Sequence, residues 1–169
     1  MADRVISSAV QAGIEEAESP DAIIAFLTVK HPRLSAPIRV VSDLFDYVVG
    51  GNTFLGLPFE FSLLSDDEAA AQTELRIQNV DRRIGLALRA IPDRAQITLE
   101  IRSTADFNLS VDPRTEIATS VVYSFADFDL VDVTVTAEEV RGRVMLRDYS
   151  QEVFPGIRAT QSRCPGLFV

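Results

Sequence analysis

The amino-acid sequence predicts a mainly β protein of the α+β kind, a sandwich or barrel with one N-terminal helix and one short central helix. Three observations lead there. Runs of alternating apolar and polar residues recur through most of the chain, clearest over 96–102. Turn-forming steps such as Gly50-Gly51-Asn52 and Asp112-Pro113 separate these runs. Only two stretches repeat apolar residues at helical spacing, and strands in runs with helices set apart belong to a β-rich layered architecture.

Residues 3–17 read as the first helix, with Val5, Ile6, Ala9, Val10 and Ile14 on one face, Asp3 as a cap and Ser19-Pro20 as its end. Residues 22–29 are short, apolar and partly β-branched, a buried strand closed by His31-Pro32. Residues 38–41 form a second strand, whose flanking prolines place it near an edge. Residues 43–52 fit no single period; a loop with an aromatic anchor is one reading. Residues 53–64 then form a strand broken by Pro58, and 65–68 an acidic turn. Over 74–80, Leu75 and Ile77 oppose Arg76 and Gln78. Asp81 opens the short central helix, striped by Val80, Ile84, Ala87, Leu88 and Ile91 and stopped by Pro92.

Over 96–102, Ile97, Leu99 and Ile101 face a core while Thr98, Glu100 and Arg102 face water. Phe107, Leu109 and Val111 alternate before Asp112-Pro113. Residues 117–125, 128–136 and 140–146 complete the strands, eight or nine in all. No internal repeat, low-complexity segment or linker interrupts them, so 1–169 reads as a single domain.

A chain of 169 residues buries a sizeable core without staples. Its 16 basic and 25 acidic residues leave a net charge of −9, which argues against general binding to nucleic-acid phosphate or anionic membrane. No apolar run reaches the roughly 20 residues of a membrane span. The N-terminus lacks a basic-then-apolar leader, so folding in the cytosol is expected.

Catalytic vocabulary is sparse. There is one histidine, His31, one cysteine, Cys164, and no tryptophan. His31 reads as a turn residue and Cys164 as an inert thiol; together they fall short of the four ligands of a usual zinc site. No cofactor is expected. Asp127, Asp129 and Asp132 lack calcium-loop spacing and read as a solvated acidic edge. Arg82 and Arg83 sit at a helix start, where the dipole disfavours cations, so they become candidate contacts to an acidic neighbour.

The C-terminal stretch is unlike the rest. Residues 153–169 have no period, contain Pro155-Gly156 and Pro165-Gly166, and end in Leu167-Phe168-Val169. An apolar terminal hook is a liability in water unless it docks. Residues 153–169 therefore read as an extended docking segment, with Phe154, Pro155, Ile157, Pro165, Leu167 and Phe168 as candidate interface residues, in cis or in trans.

Read together, PFEF at 58–61, NVDR at 79–82, RGRVML at 141–146 and the terminal PGLF resemble a family of uncharacterised tail-operon proteins of long-tailed bacteriophages and prophages. The resemblance spans nearly the whole chain and none of its landmarks is a catalytic motif. That family has an aromatic before the final Pro-Gly, where this chain has Cys164.

The resemblance implies a minor tail protein with a β-sandwich or barrel of the tail-tube type. It would form a ring at the distal tail or baseplate, as an adaptor between tube and hub or fibre. The implied partners are other tail proteins, including the tape measure, and further copies of the chain, six-fold being favoured over three-fold. The implied place is the virion tail, assembled in the host cytoplasm. An acidic bore lined by some of Asp66, Asp67, Glu68, Asp127, Asp129 and Asp132 would let DNA pass. Two rival readings remain open: a carbohydrate- or receptor-binding module using Phe45, Tyr47 and Phe54, and a glycan hydrolase.

Overall fold

A computed structural model describes residues 6–61, 72–78, 83–89, 91, 94–146, 162–163 and 166, and among these the helical and strand signals resolve into two helices and eleven strands. Helix α1 (Ser8–Glu15) is capped by Ser7, whose hydroxyl accepts the Val10 N–H. It is shorter than the sequence pattern suggests, ending at Glu15 before Ser19-Pro20. Strand β1 (Ile23–Lys30) follows, then β2 (Ile38–Val41), β3 (Tyr47–Val49), β4 (Asn52–Gly56) and β5 (Phe59–Phe61). The ambiguous 43–52 stretch thus holds a strand. It is joined to β4 by the two-residue turn Gly50-Gly51, both at positive φ, as a tight hairpin demands. Next come β6 (Gln72–Gln78), α2 (Arg83–Arg89) and β7 (Ala95–Ser103). A 3-10 turn at Thr104–Asp106 leads to β8 (Phe107–Asn108), β9 (Arg114–Glu116), β10 (Tyr123–Val135) and β11 (Glu139–Leu146).

The strands hydrogen-bond in the order β5-β6-β11-β10-β7-β1-β2-β4-β3-β9-β8. That order and the short connections force the sheet to curl. Strands β4 and β5 lie seven positions apart, about 34 Å across a flat sheet at roughly 4.8 Å per strand. Yet three Cα steps join Gly56 to Phe59, a reach of about 11 Å. Strands β7 and β8 lie six positions apart, about 29 Å if flat. Four Cα steps, about 15 Å, join Ser103 to Phe107. Both ends of the sheet therefore fold back towards its middle.

They fold onto opposite faces. Strand β1 sends Leu27 and Val29 into a large core with Leu75, Ile77, Ile97 and Leu99, covered by Ile84 and Leu88 of α2. The same strand sends Ile24 and Phe26 into a second core with Val41, Tyr47, Val49, Phe54 and Phe107. Val40 and Val41 of β2 divide in the same way. Strands β1 and β2 are thus a wall shared by two lobes, each a strongly curled sheet around its own apolar interior. In the second lobe Phe26 meets Tyr47 and Phe54 edge-on and stacks on Phe107, with ring centroids 5.1–5.6 Å apart.

This arrangement corrects several sequence expectations. Strand β2 is not near an edge: it lies between β1 and β4. Pro37 precedes its first residue, so no ladder donor is lost. Residues 117–122 are not strand, because Ile117 and Ala118 give their N–H groups to the Asp106 carbonyl instead of to a ladder. Leu109 and Val111 do not continue β8; they are exposed in the turn before the cis Asp112–Pro113 bond. The break expected at Pro58 is present, β4 ending at Gly56 and β5 starting at Phe59, where the chain crosses between lobes; residues 62–64 of that run lie outside the described residues. Ile97 and Leu99 are buried as expected, but Arg102 is only 7% exposed. Alternation assigns residues to faces, but the second lobe covers the face expected to be wet. No helix among the described residues is long and apolar enough to cross a membrane.

Candidate functional site

Three polar clusters hold the second lobe, and each joins segments distant in sequence. The first is a seam. Arg102 of β7 donates from Nη1 to Glu116 of β9 at 2.6 Å and from Nε and Nη2 to Glu100 at 3.1 and 2.9 Å. Its guanidinium lies 5.9 Å from the Phe26 ring centre, roofing the core. Glu116 also accepts the Gly50 N–H at 3.1 Å, so one carboxylate ties the returning sheet end to both β7 and the β3–β4 turn.

The second cluster is built on Asp106, a buried carboxylate. Ser7 donates to its Oδ1 at 3.0 Å and Ser120 donates to its Oδ2. Ser7 is the cap of α1, so the same hydroxyl fixes the helix start and anchors it to the lobe. His31 takes part in neither cluster; its Nδ1 accepts the Arg33 N–H in its own turn, the turn role expected of it.

The third cluster stiffens one end of the lobe. Tyr47 is fully buried, and its hydroxyl donates to Asp43 Oδ2 at 2.6 Å. Arg114 Nη1 donates to the same carboxylate at 2.9 Å and to the Tyr47 oxygen at 2.6 Å. The Arg114 guanidinium covers the Phe45 ring at 4.0 Å. Burial first, then the bond to Asp43, pushes the Tyr47 phenol up to about 12. Asp46 accepts the Gly56 N–H at 2.8 Å, and its carbonyl accepts the Arg114 N–H at 2.8 Å. A Cβ at Gly56 would lie 2.7 Å from the Leu44 and Phe45 backbone, so only glycine permits this approach.

What this framework holds is apolar and outward. Leu44 is 78% exposed and Phe45 47%, on a loop pinned from three sides. Leu55, beside Gly56, and Leu109 and Val111, in the turn leading to Arg114, are exposed at the same end. Five exposed apolar side chains thus lie on one braced end of an acidic protein.

Of the aromatic trio Phe45, Tyr47 and Phe54, the structure buries Tyr47 and Phe54 in the second core and leaves Phe45 at the surface. Asp129 pairs with Arg94 at 3.6 Å and Asp132 with Arg143. Asp132 has a positive φ and sits at a bulge in β10. The side chain of Asp127 lies outside the described residues, as do Asp66, Asp67 and Glu68. Arg82, Phe154, Pro155, Ile157, Cys164, Pro165, Leu167 and Phe168 also lie outside them; Arg83 opens α2, its side chain not described. Among the described residues no three metal-ligating side chains come together. Sequence reading missed Arg102 and Arg114. The signal for the pinned end was Asp43-x-x-x-Tyr47 beside Gly56, but their arginine lies 67 residues beyond Tyr47.

Fold and clusters define a mainly β protein whose described polar networks brace surfaces. Residues 9–159 match a family described as a domain of unknown function, DUF1833, and the chain belongs to that family. No curated protein sequence matches it at a significant level.

Proposed function

We propose that this chain is a structural component of a long-tailed phage tail, a ring-forming adaptor near the distal end between tube and hub or fibre. The observation that carries the reading is the pinned apolar end. Ordering an exposed loop costs about 1–2 kcal/mol of backbone entropy per residue. Asp43, Asp46, Tyr47, Gly56 and Arg114 are all committed to ordering this one, and what they hold out is Leu44 and Phe45. A rigid apolar display gains nothing in water and gains binding when a protein surface covers it. The resemblance to tail-operon proteins supplies the assembly in which such a partner would occur.

Native mass measurement of the purified protein, together with imaging of tails labelled through this chain, tests the reading. A closed oligomer and a label confined to the distal tail are expected. Mature tails that lack the protein would overturn it.

A further inference from the structure

Strand β1 sends Phe26 into the second core, but Lys30, four positions on and on the same face, is exposed. Lys30 stands opposite Gln96 of β7, and Gln96 opposite Asp129 of β10. Opposed residues of an antiparallel ladder share a face, so these three form a row about 10 Å long across three strands. The next row on that face is Arg39, Thr28 and Thr98, which brings no carboxylate. Between the β1–β2 turn and the start of β7, this row borders a pocket of about 680 Å3, the size of a small-molecule site. Its charged and titratable groups are Lys30, His31, Arg94 and Asp129, and Pro32, Leu34 and Pro37 supply apolar surface.

The pocket is rich in uncommitted donors. Lys30 is the only lysine of the chain, and it makes no hydrogen bond or ion pair with a described residue. His31 accepts the Arg33 N–H on Nδ1, so the neutral ring carries its proton on Nε2. Arg94 is 71% exposed and stands 3.6 Å from Asp129, beyond hydrogen-bond length. Two cations, Lys30 and Arg94, less the single acid Asp129 leave one positive charge with His31 neutral, in a chain whose net charge is −9. We infer that this pocket binds a singly charged carboxylate on an apolar stem, carried by a small organic acid or by a glutamate side chain of a peptide. One carboxylate balances the charge, whereas a phosphate dianion would leave a negative charge over. The carboxylate oxygens accept from Lys30, His31 and Arg94, and the stem lies on the proline and leucine surface. Strand β2 runs from this pocket to the Leu44–Phe45 loop beyond its far end, so the inference is independent of what that loop docks on.

One lysine and one histidine make the test direct. In the full chain isotopically labelled at both residue types, the side-chain NMR signals of Lys30 and His31 report occupancy, one residue each. The probes are hexanoate and an acetylated, amidated peptide whose sole carboxylate is a glutamate side chain between leucines; chloride at matched ionic strength is the control. Both signals should shift saturably with at least one probe, and the tighter probe names the source. Inorganic phosphate at neutral pH should bind more weakly. Lys30→Met and Arg94→Met, each checked for folding by circular dichroism, should weaken binding about fivefold or more. Asp129→Asn should tighten it by removing the competing acid, a gain that a residue serving only the fold would not give. Shifts that chloride reproduces, undiminished binding to the Lys30→Met protein read at His31, weaker binding to the Asp129→Asn protein, or phosphate outbinding both probes would each overturn the assignment.

Discussion

Removing the Arg102 guanidinium tests whether the second lobe is closed by its seam. The side chain is nearly buried and makes three hydrogen bonds to two carboxylates. Breaking a buried pair by deleting one partner costs about 3–5 kcal/mol, because the other charge stays behind. Here the two partners differ. Glu116 is 14% exposed and would be left nearly dry, whereas Glu100 is 32% exposed and recovers water. Taking nearly the full cost for Glu116 and discounting Glu100 puts Arg102→Ala at about 3 kcal/mol, with the packing over Phe26 included. That is a large part of a stability of roughly 5–15 kcal/mol.

Urea unfolding at neutral pH measures the loss as a lower midpoint at unchanged slope. A companion triple variant, Arg102→Met with Glu100→Gln and Glu116→Gln, removes the stranded charges and keeps the volume, and should regain about half of the loss. If Arg102→Ala costs less than about 1 kcal/mol, the size of an exposed pair, the seam is ornamental and the closure argument fails.

Other perturbations follow from the same geometry. Leu99→Ala, in the large core, should cost about 2–5 kcal/mol in the same urea assay, and a loss under 1 would mean that β7 is misassigned. Gly56→Ala should loosen the Leu44–Phe45 loop, read as faster amide exchange at 43–46, because its Cβ has no space against that backbone; unchanged exchange would refute the close approach. The Tyr47 phenol, raised from 10.0 to about 12, keeps its proton in the folded chain over a range where the unfolded chain has lost it. Stability should therefore be level up to about pH 10 and fall by roughly 2–3 kcal/mol as pH approaches 12. Tyr47→Phe should remove that part of the decline, and identical alkaline profiles for the two proteins would show the phenol to be unperturbed.

Local chemistry made some of this legible and distance hid the rest. The Ile97–Leu99 alternation, the α2 stripe and the Gly50-Gly51 turn each depend on residues within one element, and the sequence displays them directly. Arg102 was misread because its partner faces, Phe26 and Glu116, arrive from β1 and β9, and nothing near residue 102 announces them. Strand β2 was placed near an edge because proline limits only its own N–H, and the sequence does not say which strands come alongside. The docking end was half visible: Asp43 and Tyr47 share a loop, but Arg114 reaches it only through the parallel pairing of β3 with β9.

The shared wall also sets a timetable for synthesis. Every apolar member of the second core has been synthesised once Phe107 is added, and the seam's last residue is Glu116; emergence from the ribosome follows in the same order. The large core must wait for Val144. At about 5–20 residues per second the gap from Phe107 to Val144 lasts a few seconds. During it β1 and β2 can already be sealed on one side while Leu27, Val29 and Val40 on the other have no roof from β11. A nascent chain at that stage is a half-closed molecule with one apolar face of its shared wall still uncovered.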